Sequence, residues 1–116
     1  MGRLTTHVLD TAQGCPAGGV AIALFSVQPE HRLIAEAITN ADGRLDAPIL
    51  EGENLMPGVY ELVFQIGDYF RGQFNDLPEP LFVDKVPLRF GIAAADQHYH
   101  VPLLVSPWSY STYRGS

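Results

Sequence analysis

Apolar and polar residues alternate along this chain in several short runs, the period of strands with one buried face. In the first run Leu4, Thr6 and Val8 fall on one side and Thr5, His7 and Leu9 on the other. Val20 to Val27 is apolar on both sides, as in a central strand, and Arg32 to Ile38 reads as its hairpin partner. The clearest alternation follows Met56-Pro57-Gly58, with Tyr60, Leu62, Phe64 and Ile66 set against Val59, Glu61, Val63 and Gln65. Val86, Leu88, Phe90 and Ile92 alternate again. Pro87 among them has no N–H for a ladder, which predicts an edge strand or a bulge. From His98 onward Tyr99, Val101, Leu103 and Val105 oppose His98, His100, Pro102, Leu104 and Ser106. Ser106-Pro107-Trp108 then turns the chain into a last strand within Ser109 to Ser116.

The punctuation between these runs comes from 11 glycines and 9 prolines. Asn40-Ala41-Asp42-Gly43 predicts a tight turn, because glycine after aspartate supplies a positive φ. The stretches from Gln13 to Gly19 and from Leu77 to Pro80 read as loops. Phe70 and Phe74 stand four residues apart behind Asp68, so a short helix fits between Gly67 and Phe74, with Asp68 as its cap. Seven or eight strands with one short helix predict an all-β, antiparallel two-sheet sandwich.

At 116 residues the chain has the length of a single domain, 1–116. Seven Lys plus Arg against 13 Asp plus Glu give a net charge of −6, and Lys85 is the only lysine. An acidic balance argues against nucleic acid as a partner, since phosphate binding needs a basic surface. Hydrophobic residues at 47% and charged residues at 17% exclude a disordered chain. The charged share is low against an average of roughly 25%, which predicts surface buried against something else. Cys15 is the only cysteine, so no intramolecular disulfide forms and a reducing compartment is expected. No apolar leader or membrane-length run is present, which leads to the expectation of a cytoplasmic protein with no membrane partner; a trimmed leader would place it in the periplasm.

Three features are candidates for chemistry. His98 and His100 lie two residues apart, so on a strand both imidazoles point to one face. They read first as the polar side of an amphipathic strand, then as an acid–base pair, and last, with His7, as a His₃ zinc site. Arg44, leaving the tight turn, reads as a solvated charge or as a fixed cation for a substrate carbonyl or a developing oxyanion. The tail Tyr110-Ser111-Thr112-Tyr113-Arg114-Gly115-Ser116 follows a strongly patterned strand, and no acid occurs after Asp96. It reads as a frayed strand end or as the lining of a site for a polar, anionic small molecule. There is no nucleophile elbow, phosphate loop or dinucleotide fingerprint.

Four segments carry a resemblance: Leu4-Thr5-Thr6-His7-Val8-Leu9-Asp10, Asn40-Ala41-Asp42-Gly43-Arg44, His98-Tyr99-His100-Val101-Pro102-Leu103-Leu104, and the closing Tyr113-Arg114-Gly115-Ser116. Together they resemble the 5-hydroxyisourate hydrolases, transthyretin-like enzymes of urate breakdown, from residue 4 to residue 116. The hormone-carrying transthyretins share that fold but lack the closing tetrapeptide and the His/Arg/His set. The resemblance implies a transthyretin-like sandwich of two four-stranded sheets, with a short helix fitted by residues 67–74. It implies a homotetramer whose active sites lie in a channel between dimers. It further implies metal-free, cofactor-free hydrolysis of 5-hydroxyisourate to 2-oxo-4-hydroxy-4-carboxy-5-ureidoimidazoline. His7, Arg44 and His98 match the catalytic positions, with His98 as base and Arg44 as electrostatic stabiliser. His7, Arg44, Tyr113, Arg114, Gly115 and Ser116 match the substrate-binding ones. Two other readings stand beside it: a tetrameric carrier of small ligands, and a zinc hydrolase using His7, His98 and His100.

Overall fold

The computed structural model describes residues 1–115. In chain order the strands are β1 (Arg3–Asp10), β2 (Cys15–Pro16), β3 (Ala21–Ser26), β4 (Arg32–Ile38), β5 (Leu50–Glu51), β6 (Gly58–Gln65), β7 (Lys85–Ile92), β8 (His98–Val105) and β9 (Tyr110–Thr112). Helix α1 (Ile66–Gln73) follows β6 directly. One sheet runs β2-β1-β8-β9, with β5 also pairing with β1; the other runs β4-β3-β6-β7. Leu4 and Val8 of β1 and Tyr99, Val101, Leu103 and Val105 of β8 face inward, onto Ile22, Leu24, Leu62, Phe64, Val86 and Leu88 of the second sheet. These inward positions are the alternating apolar ones, because only one face of each sheet is dry.

The all-β, transthyretin-like sandwich is present, with three differences from the expected plan. The strand ladders are antiparallel except one: β1 and β8 pair in parallel over all eight positions. Alternation reports which face a residue takes and is blind to strand direction. The first sheet has five strands, because two-residue segments at Cys15–Pro16 and Leu50–Glu51 join β1. A two-residue strand is too short to show a period. Helix α1 begins at Ile66, so Asp68 is no cap; it lies in the first turn and pairs with Arg71 at 3.1 Å. The Gly67 N–H instead donates to the Asp84 carbonyl at 3.0 Å. Pro87 sits, as its missing N–H requires, on β7, an edge of the second sheet.

The outer edge of β1 is closed in pieces rather than by one strand. Cys15–Pro16 pairs at Leu9 and Asp10, Arg44 bridges His7, and Leu50–Glu51 pairs at Arg3 and Leu4. The edge is thus satisfied, and the segment after Gly43 is laid along β1. At the far end of β1 the buried Asp10 carboxylate accepts hydrogen bonds from the N–H groups of Ala12 and Gln13, both at 2.9 Å, and from the Tyr69 hydroxyl at 2.8 Å. Burial, then the bonded Asp10, pushes the Tyr69 phenol well above its usual range. This contact ties α1 to the first sheet.

Gly43 turns the chain with φ 73° and places its carbonyl 2.8 Å from the Val8 N–H. A Cβ there would run into the Val8 carbonyl. Gly14 has nearly the same φ, 71°, but open space around it. Left-handed backbone costs a non-glycine residue about 1–2 kcal/mol. Gly14→Ala is expected to lose about that much in urea unfolding, and Gly43→Ala clearly more, because the clash adds to the strain. Equal losses at the two positions would contradict the close packing of the Arg44 turn on β1.

Candidate active site

The parallel register of β1 and β8 builds the site. It sets Arg3 opposite His98 and Thr5 opposite His100. Odd-numbered residues of β1 and even-numbered residues of β8 point outward, so Arg3, Thr5, His98 and His100 share one face. The Arg44 segment borders this face and completes an open cleft of about 450 Å³. Arg3, Thr5, Arg44, Asp46, His98 and His100 line it. A cleft of this size falls in the range of small-molecule sites.

As the spacing predicts, both imidazoles emerge together, with ring centroids 6.2 Å apart. The Thr5 hydroxyl lies between them, 2.8 Å from Nε2 of His98 and 2.8 Å from Nδ1 of His100. Both imidazoles are held below the usual histidine range. For His98 the causes are burial first, then the charges of Arg3 and Arg114. For His100 they are burial, then Arg44, His98 and His7. Each favours the neutral ring, the form that can take a proton.

Arg44 is exposed at the rim of the cleft, and among the described residues its guanidinium makes no ion pair or hydrogen bond. Its backbone is fixed instead. Asn40 Oδ1 accepts hydrogen bonds from the N–H groups of Asp42 and Arg44, and Gly43 N–H donates to the Asn40 carbonyl. His7 holds the same turn: its Nε2 lies 2.8 Å from the Asp42 carbonyl. A carbonyl only accepts, so the His7 proton is on Nε2. The cleft carries two guanidinium groups, Arg3 and Arg44, against one carboxylate, Asp46.

The tail divides. Gly115 N–H donates to the His100 carbonyl at 2.7 Å, and its lack of a side chain lets it lie against the ring, since a Cβ would come within 2.7 Å of Cδ2. Arg114 lies on the opposite side of the sheet, its guanidinium 4.1 Å from the centre of the Tyr99 ring and bonded to the His98 carbonyl at 3.3 Å. Tyr113 is exposed and, with Arg114, borders a separate groove beside Phe90 and Val101. Within one chain, therefore, Arg44 and His98 meet in the cleft, His7 holds the Arg44 turn from the same outward face, Gly115 packs against the His100 ring, and Tyr113 and Arg114 border a separate groove. Ser116 lies outside the described residues. Among the described residues no three His, Cys, Asp or Glu side chains converge as a metal ion requires, and His7 Nε2 is engaged by the Asp42 carbonyl. Thr5 and Arg3 were not among the expected site residues. The available signal is that Thr5 lies two residues before His7, on the same outward face.

The model of the HIUase/Transthyretin family matches residues 4–115. A 5-hydroxyisourate hydrolase of Pseudomonas aeruginosa is 63% identical over 117 residues, spanning 100% of this chain and 93% of that protein. The crystal structure of an (S)-allantoin synthase superposes with a TM-score of 0.95 at 50% identity, over 99% of this chain and 44% of that longer one. The structure of 5-hydroxyisourate hydrolase from Klebsiella pneumoniae gives a TM-score of 0.81 at 34% identity over the full length of both chains.

Burial and neighbouring cations predict the titration of the site. His98 and His100 are expected to titrate below 6.5 in an NMR pH series. Arg3→Gln removes a cation beside His98 and raises its midpoint, while His100, which owes its shift to other groups, moves little. The sign for stability follows. On acidification through about 6.5 the unfolded chain takes up protons that the folded rings resist, so stability falls with pH in that range. A His98 midpoint that is unmoved or lowered in Arg3→Gln would contradict this electrostatic picture.

Proposed function

The chain belongs to the HIUase/Transthyretin family and is a hydrolase of 5-hydroxyisourate, an intermediate of urate degradation, and we propose that it opens the substrate's six-membered ring with a water that His98 deprotonates beside Arg44. The observation that carries this reading is the pairing, across one cleft, of an imidazole held neutral with a guanidinium that has no intramolecular partner among the described residues.

The balance of the step is simple. The water oxygen bonds to the ring carbonyl carbon while His98 takes one water proton. Negative charge gathers on the carbonyl oxygen, where the Arg44 guanidinium stabilises it more than it stabilises the neutral substrate. The carbon–nitrogen bond of the ring amide then breaks, and the departing nitrogen takes the proton from His98. The product keeps every atom of substrate and water, as a carboxylate and a ureido group on the five-membered ring. His7 takes the orienting part in this scheme. Its Nε2–H holds the Asp42 carbonyl and thereby the turn that presents Arg44.

We place the remaining binding residues, Tyr113, Arg114, Gly115 and Ser116, in a homotetramer whose channel between dimers is lined by this face. The charged share of 17% and the exposed Phe82, Trp108, Tyr110 and Tyr113 support surfaces that other subunits cover. Residues 1–116 act in this reading as one hydrolase domain. A reducing, cytoplasmic setting suits the exposed, unpaired Cys15 thiol. No helix among the described residues is long and apolar enough to cross a membrane.

Urate oxidase acting on urate generates the substrate, and its decay is followed by absorbance. Arg44→Ala is expected to lower kcat roughly 10²–10³-fold, as when one oxyanion donor is lost. His98→Ala is expected to lose about 10²–10⁴-fold, the usual worth of a general base. The reading is overturned if both purified variants, folded as judged by circular dichroism, work at the parent rate.

A further inference from the structure

We propose that Thr5 is a positioning residue, whose hydroxyl bridges His98 and His100 and selects the tautomer in which His98 can act as a base. The proposal rests on the reading of His98 as the base, and it adds a residue and a requirement that this reading lacks.

A threonine hydroxyl has one proton and two lone pairs. At 2.8 Å from Nε2 of His98 and 2.8 Å from Nδ1 of His100, it donates to one ring and accepts from the other when both are neutral. Two arrangements satisfy this. In the first, His98 Nε2–H donates to Thr5 Oγ1, and the Thr5 O–H donates to His100 Nδ1. His98 then carries its lone pair on Nδ1, the nitrogen that has no partner among the described residues, and can take a proton from water. In the second, His100 Nδ1–H donates to Thr5, and Thr5 donates to His98 Nε2. His98 then carries its proton on Nδ1 and offers no free lone pair. The state of His100, transmitted through one hydroxyl, therefore decides whether His98 is competent.

The first arrangement also serves the step itself. When Nδ1 takes the water proton, the His98 Nε2–H becomes a charged donor, and its bond to Thr5 strengthens as charge develops. No proton leaves through Thr5; the one taken at Nδ1 returns to the departing ring nitrogen. Fold and chemistry agree on the placement. The parallel register sets Thr5 opposite His100 and two pairs along from His98, on the same face. Threonine's branched Cβ restricts χ1, which holds the hydroxyl in place with little entropy to lose. The charged and titratable groups facing the two rings are Arg3 and His7 from β1 and Arg44 and Asp46 from the segment laid along β1, while the charge of Arg114 reaches His98 from the other side of the sheet. Their balance is cationic, which suits two neutral rings sharing one bridging proton.

The test compares Thr5→Val, which keeps the shape and removes the hydroxyl, with Thr5→Ser, which keeps the hydroxyl. Thr5→Val is expected to lower kcat at least tenfold with KM within about twofold, a loss inside the range of a misplaced general base. Its ¹⁵N imidazole spectrum should show His98 losing the single Nε2–H form. Thr5→Ser should stay within a fewfold of the parent in kcat and keep the parent His98 spectrum. Thermal unfolding of both reports whether the fold is intact. Parent turnover in Thr5→Val, or equal losses in Thr5→Val and Thr5→Ser, overturns the proposal. If Thr5→Val works at the parent rate while His98→Ala is inactive, the bridge fails and the base stands. If His98→Ala works at the parent rate, the base reading fails and takes the bridge with it.

Discussion

The parallel ladder between β1 and β8 is the constraint on which the rest depends. Two strands separated by most of the chain lie side by side over eight pairs, with the second sheet built from the residues between them. Their inward residues, Leu4 and Val8 with Tyr99, Val101, Leu103 and Val105, form one side of the core. Their outward residues form the floor of the cleft. One register serves both, so a slip of a single residue would bury His98 and His100 and expose Tyr99 and Val101. The free edge of β1 is then closed by short segments, and the middle one delivers Arg44. The catalytic arrangement is thus tied to the packing of the sandwich, with the Arg44 loop fastened to β1 by Gly43 and His7.

The electrostatics of the cleft run against those of the whole molecule. The chain carries −6, yet two arginines and a single carboxylate border the cleft. Other acids are occupied in structural bonds. Asp10 fastens α1, Glu61 pairs with Arg89, and Glu79 and Asp68 bind Arg71. Arg44 and Arg3 make no such pairs among the described residues. Burial with Arg3 and Arg114 holds His98 below the usual histidine range, and burial with Arg44 does so for His100. The same field that draws an electron-rich, carbonyl-bearing ring to the cleft thus also prepares its base.

Much of this was legible in the sequence because strand alternation is a two-residue signal that survives in short runs. β1, β6 and β8 could be read from it, and Asn40 to Gly43 announced the turn that carries Arg44. Pro87 placed an edge strand correctly, because a missing N–H leaves few positions in a sheet. What escaped notice lacked a local period or depended on direction. β2 and β5 are too short, and the parallel sense of β1 and β8 leaves no mark on alternation. Asp68 reads as a cap only if the helix starts late; the cap position is Gln65, three residues earlier. Thr5 carried no signal of its own, since one hydroxyl on a strand is ordinary until the register sets it beside two histidines. Within one chain Tyr113 and Arg114 border a groove apart from the Arg44 cleft, and their place beside Arg44 belongs to the proposed tetramer.

The central claim is that the substrate sits on the outward face of the β1 and β8 ladder. Chemical-shift mapping tests it most directly, using isotope-labelled protein and a urate-like bicyclic analogue that water cannot open. The account predicts that saturating analogue shifts the side-chain signals of His98, His100, Arg44 and Thr5. It predicts no change at His31, in the loop just before β4. Shifts confined to the groove beside Ser26, Arg32 and Tyr60, with the His98 and His100 rings unmoved, would contradict it.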